Sequence, residues 1–178
     1  MAAPDHTHIP IPQRNWRRFG IAGILDQMPQ SFSAVHIHLV FSTKDRRPFL
    51  RDSKTRDALH AYLGAVSTQI DCPPVRIGGV EDHVHILARL GRTRSQADWV
   101  KELKRVSNTW LKERVPDLAD FEWQRGYAAF SVSQSNLEQV RTYIEQQEAH
   151  HHKRTFQEEL RTLLQKHELA CDERYVWD

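Results

Sequence analysis

The sequence has little cysteine and no long apolar run. Only Cys72 and Cys171 are present, far apart and outside any Cys-x-x-Cys pair. That excludes a disulfide framework and a thiolate zinc site, and a reducing cytoplasm is the simplest compartment. No apolar stretch approaches the roughly 20 residues that span a bilayer. The first thirty residues also lack the apolar segment of a secretory signal. The expectation is a cytoplasmic protein with no membrane attachment. A Gly-x-x-x-x-Gly-Lys phosphate loop is missing as well, so no ATP dependence is expected. Charge of one sign is scarce: 25 Lys and Arg against 23 Asp and Glu leave a formal net charge of +2. Such a balance permits nucleic-acid binding without demanding it.

What is present suits one ordinary domain, with 178 residues, 39% of them hydrophobic and 27% charged. Residues 1–27 stand apart: three prolines fall in the first twelve positions and no helical or strand period follows. They read as a mobile N-terminal extension in which Arg14, Trp16, Arg17 and Arg18 are candidate DNA contacts. The domain proper is placed at residues 28–178. Ser33 to Ser42 reads as a strand. A helix from Asp52, a plausible N-cap, to Gln69 turns Leu59, Tyr62, Leu63 and Val66 inward and stops at Pro73-Pro74. Strands follow at about 75–80 and 84–90, then a helix from Ser95 to about Arg114 with Ala97, Val100, Leu103 and Trp110 inward. A strand at about Ala128–Ser133 and a helix from near Asn136 complete the order. This is the α+β, ferredoxin-like sequence of elements, an antiparallel sheet with helices on one face. Thr155 to Lys166 carries Phe156, Leu160, Leu163 and Leu164 at helical spacing, a segment expected to pack on the body or on a partner subunit.

The chemistry concentrates in His83-Val84-His85. A Gly78-Gly-Val-Glu-Asp82 turn precedes it, and strand side chains alternate, so the two imidazoles share a face while Val84 and Ile86 point to the core. That geometry suits one divalent ion, although the bare spacing is weak evidence in a chain with eleven histidines. Tyr143 and Gln147 lie one turn apart on a helix that also carries Leu137, Val140 and Ile144 at spacings of three and four. A tyrosine hydroxyl with an unperturbed pKa of about 10 is a nucleophile only beside a cation or a base.

At these residues the chain resembles the single-tyrosine HUH transposases of bacterial insertion sequences, a group that includes the REP-associated tyrosine transposases. The likeness covers the segment from Met28 to Lys44, Gly78 to Leu87, Lys101 to Trp110, Phe121 to Ser133 and Tyr143 to His152. It implies His83, His85 and Gln147 as metal ligands, Tyr143 as nucleophile and Mg²⁺ or Mn²⁺ as cofactor. It also implies an HUH endonuclease fold, single-stranded DNA with subterminal hairpins as substrate, a covalent 5′-phosphotyrosine intermediate and a homodimer whose tyrosine helix can serve the partner's metal site.

Other features carry less. His36-Ile37-His38 also puts two imidazoles on one strand face, but no acidic turn precedes it, and it is read as structural. His150, His151 and His152 are second choices for phosphate binding or for a charge at a helix C-terminus. Lys101, Lys104 or Arg105, Asn108 and Lys112 form a basic stripe on the second helix. With Arg89, Arg92 and Arg94 they are candidate contacts to a phosphate backbone, a reading favoured over a solvated charged face by the candidate metal site expected nearby. Alongside an active transposase stand three alternatives: a domesticated REP-associated enzyme, a catalytically silent hairpin-binding regulator, and a metal-dependent RNA nuclease that forms no covalent adduct.

Overall fold

Local chemistry starts and stops each element of the computed structural model, which describes residues 32–148 and 155–172. Strand β1 is His36–Ser42, rich in β-branched and aromatic residues. Helix α1 is Ser53–Gln69; the Asp52 carboxylate accepts the Thr55 backbone N–H at 2.8 Å and satisfies a donor that the helix itself leaves open. Strands β2 (Pro74–Gly79) and β3 (His83–Arg89) are joined by the tight turn over Val80–Asp82. Helix α2 is Gln96–Arg114, capped by the Ser95 hydroxyl and ended ahead of Pro116. Strand β4 is Ala128–Val132, helix α3 is Leu137–Glu145, and helix α4 is Phe156–Lys166, opened by a capping box between Thr155 and Glu158.

The sheet has the order β2-β3-β1-β4 with every neighbour antiparallel, as the ferredoxin-like arrangement requires. Pairing of β1 with β3 sets Val40 opposite His85 and Ser42 opposite His83. Alternation then separates two faces. On one, Ile37, Leu39, Phe41, Val84, Ile86 and Ala88 form the main core with Leu59 and Leu63 of α1 and with Trp99, Val100, Leu103 and Leu111 of α2. Two buried tryptophans each find a partner there: Trp99 Nε1 donates to Ser67 Oγ and Trp123 Nε1 to Ser107 Oγ, both at 2.9 Å.

Ala97, expected to face inward, is exposed, and Trp99 and Leu111 take that role. Trp110 is half buried and stacks on Tyr62 with ring centroids 4.8 Å apart. The other sheet face is covered too. Phe156 and Leu160 of α4 pack on Val40 and Phe130 in a second, smaller apolar cluster.

Candidate metal and tyrosine site

His38, His83 and His85 project from the second sheet face into the space under α3 and α4. His83 and His85 are fully buried, which is costly for imidazoles unless their nitrogens are engaged. Each has a partner at Nδ1. His83 Nδ1–H donates to Asp82 Oδ1 at 2.6 Å, and His85 Nδ1 lies 2.9 Å from His38 Nε2. Burial, and after it the proximity of His167 and Lys166, push the His38 pKa down to about 4, so His38 is neutral at pH 7. Its Nε2 can therefore accept from His85 Nδ1–H. Burial, with the other histidines, also holds His85 well below its ordinary pKa. The Asp82 carboxylate leaves the lone pair of His83 on Nε2, and the contact with His38 is compatible with the same tautomer for His85, the form that metal-ligating histidines need.

Both Nε2 atoms converge on one carboxylate. Glu159 Oε2 is 3.6 Å from His83 Nε2, and Glu159 Oε1 is 3.3 Å from His85 Nε2. Among the described residues, His83, His85 and Glu159 are the one histidine, cysteine and carboxylate group that could hold a metal ion. The same carboxylate gathers the tyrosine helix: Tyr143 Oη and Gln147 Nε2 both donate to Glu159 Oε1, the latter at 3.0 Å. The donor set fits a small divalent cation on two counts. It offers two imidazole nitrogens and one carboxylate at mutual ligand distance, and the buried His85 Nε2 and Gln147 Oε1 make no hydrogen bond among the described residues.

Close backbone approach brings Tyr143 here. A Cβ on Gly78 would lie 2.6 Å from the Ile144 carbonyl oxygen, so the bare glycine of β2 is what lets α3 settle on the sheet. Regular helix ends at Glu145, with Gln146 as C-cap. Gln147 thus lies beyond the regular turn, yet its buried side chain still reaches the Tyr143 partner. Arg56 donates to Leu50 O at 3.0 Å and to the Glu148 carboxylate, tying Glu148 to α1.

Comparison with known proteins settles the family. Residues 31–147 match the family described as "Transposase IS200 like". The chain belongs to this transposase family. Among solved structures it is similar to a candidate transposase of Deinococcus radiodurans R1, at 27% identity and TM-score 0.54, over 68% of this chain and 97% of that one. It also shares its fold with a REP-associated tyrosine transposase solved with a REP hairpin, at 12% identity and TM-score 0.52, over 71% of this chain and 73% of the other. No curated protein matches.

Within this transposase, His83, His85, Tyr143 and Gln147 come together around Glu159, a residue that motif reading passed over. Its signal was present: Glu159 sits between Phe156 and Leu160, at an inward position of an otherwise apolar helix face. The basic candidates divide. Arg89 ends β3 on the same sheet face as His83 and His85, by alternation, and Arg92 and Arg94 follow in the loop, where Arg94 Nε donates to Ile70 O at 3.2 Å.

Lys101, Lys104, Arg105 and Lys112 ride on α2, which covers the opposite face. The reading that placed this stripe near the metal site is corrected, because α2 turns its apolar side to the sheet face that the histidines avoid. Lys104 Nζ instead donates to the carbonyls of Gln124, Arg125 and Gly126 at 2.7, 3.3 and 2.6 Å, and Arg105 pairs with Glu102 at 2.7 Å. The candidates in residues 1–27 and His150, His151 and His152 lie outside the described residues.

Proposed function

We propose that this transposase cleaves and rejoins single-stranded DNA through a covalent bond between Tyr143 and a 5′ phosphate. His83 and His85 are the histidine ligands of a divalent cation, with Gln147 and Glu159 as the candidate oxygen donors. When bound, Mg²⁺ or Mn²⁺ supplies positive charge to a non-bridging oxygen of the scissile phosphate. A carboxylate or amide oxygen beside two imidazoles suits these ions, and Mn²⁺ tolerates nitrogen ligands the better of the two.

The observation that carries the reading is the hydrogen bond from Tyr143 Oη to Glu159, whose oxygens also lie beside both histidine Nε2 atoms. A nucleophile and a candidate metal centre thus share one carboxylate. Glu159 orients the phenol and is placed to take its proton. The Tyr143 oxygen then forms a bond to phosphorus, and the bond from phosphorus to the 3′ oxygen breaks. That oxygen leaves as a hydroxyl after taking a proton. Attack by a 3′ hydroxyl reverses these steps and restores the strand with no nucleotide hydrolysis. Asp82 and His38 keep the imidazoles in the binding tautomer.

The substrate proposed is DNA carrying hairpins, which agrees with the REP hairpin held by the structural neighbour. Arg89, at the end of β3 on the histidine face, is a candidate contact for its backbone.

Labelled single-stranded oligonucleotide incubated with Mn²⁺ tests this on a denaturing gel. Wild type is expected to give a slow-migrating covalent adduct, and Tyr143→Phe and His83→Ala none. Cleaved ends without an adduct would instead indicate a metal nuclease. Hairpin binding with neither adduct nor cleavage would indicate a regulator that keeps the fold alone.

A further inference from the structure

Beside the nucleophile lies a cavity of about 480 Å³ between α3, α4 and β4, which the proposed strand transfer leaves without a role. Its volume is in the range of roughly 300–1,000 Å³ found for small-molecule sites. Three properties of its wall define what fits. Tyr143 forms part of it, so an occupant lies next to the attacked phosphate. Phe130 and His167 stack with centroids 4.6 Å apart and interplanar angle 25°, giving the cavity an aromatic side. Asn136 and Gln139, also in the wall, contribute amides, each with both donors and an acceptor.

Aromatic rings and amides in the wall of one cavity are the chemistry that recognises a flat, hydrogen-bonding heterocycle. Stacking holds any base, and Asn or Gln amides pair with the adjacent donor and acceptor of adenine. We infer that this cavity is a nucleobase subsite that takes an unpaired base flanking the scissile phosphate, adenine in preference, and so sets part of the cleavage sequence. The inference rests on the proposed strand transfer. Lys166, also in the wall, is placed to meet the phosphate of that nucleotide. Gln139 is exposed on α3, so its replacement tests the subsite without disturbing the core.

The test uses the full chain with Mn²⁺ and single-stranded oligonucleotides randomised at the positions either side of the nick, with sequencing of the DNA recovered as covalent adduct. Wild type is expected to prefer adenine at one flanking position. Gln139→Ala is expected to lower that preference about tenfold, within the range one bidentate amide–base pair supplies. Gln139→Glu is expected to shift it toward cytosine, whose amino group a carboxylate accepts.

Unchanged base profiles in both variants, with wild-type adduct intact, would overturn the subsite while leaving strand transfer standing. If wild type forms no adduct on any oligonucleotide, strand transfer fails first and binding decides the subsite. Quenching of 2-aminopurine in single-stranded DNA by wild type, relieved about threefold or more in His167→Ala, would then support it. Equal quenching, or none, would overturn it.

Discussion

At the scale of single residues, the account turns on which nitrogen of each histidine is left with a lone pair. Asp82 accepts the hydrogen bond from His83 Nδ1–H and His38 stands at Nδ1 of His85, so neither partner needs to touch a metal to govern its binding. Asp82→Asn is expected to weaken Mn²⁺ binding about 10- to 100-fold, the usual cost of losing such a partner. Isothermal titration with Mn²⁺ checks this, and unchanged affinity would remove Asp82 from the site. Much of this level was legible in advance. Alternation along one strand is enough to pair His83 with His85, and the resemblance supplied Tyr143 and Gln147.

Glu159 and the contact of His38 with His85 were not legible, for a physical reason. Glu159 lies sixteen positions from Tyr143 and His38 lies 47 from His85. Their meeting depends on the path of the chain between, which no local period encodes. His38 was read as structural; it is better described as the residue that orients His85.

At the scale of elements, α3 carries Tyr143, the proposed nucleophile, and is seated by the absence of a side chain at Gly78. Gly78→Val would drive its methyl groups into the Ile144 carbonyl, which a Cβ alone would approach to 2.6 Å. The variant is expected to lose covalent adduct and to melt several degrees lower, as clashes of this kind commonly cost about 1–3 kcal/mol. A thermal melt read beside the adduct gel checks both; wild-type behaviour in each would contradict this role for Gly78. Helix α4 brings Glu159 and depends on its start. In Thr155→Ala the hydroxyl half of the capping box is lost, the acceptor of the Glu158 backbone N–H, while the backbone N–H of residue 155 still donates to the Glu158 carboxylate, and a cost of about 1 kcal/mol is expected in urea unfolding.

Most boundaries were readable to within about two residues where caps and prolines mark them, as at Asp52, Ser95 and Pro73-Pro74, whereas β1, expected from Ser33, starts at His36 with no such mark. The side on which α4 packs was not. Phe156, Leu160 and Leu163 announce an apolar face and say nothing of which sheet face receives it. The same ambiguity misplaced the α2 stripe: a basic face opposite an apolar one fixes the helix rotation, and only the sheet register shows that the histidines point the other way.

At the scale of the whole molecule, the histidine face is a buried polar interior, and its acid response follows. Burial lowers the pKa of His38 and of His60 to about 4 and holds His85 well below its ordinary value. The unfolded chain therefore takes up protons first as pH falls. Stability contributed by the neutral histidines is fully present above about 6.5 and is lost as pH drops from there toward 4. Metal-free protein is expected to be less stable to urea at pH 5 than at pH 7, by on the order of 1–2 kcal/mol for each such histidine over that interval. Equal midpoints would show that these imidazoles are not buried neutral.

Among the described residues no helix is long and apolar enough to cross a membrane. The central claim is that this chain joins itself to DNA at one tyrosine. The most direct measurement is mass spectrometry of the proteolysed protein after reaction with single-stranded hairpin DNA and Mn²⁺. The account predicts one peptide carrying a 5′-phosphorylated nucleotide, with the modification on Tyr143. Modification of any other residue, or cleaved DNA with Tyr143 unmodified, would contradict it.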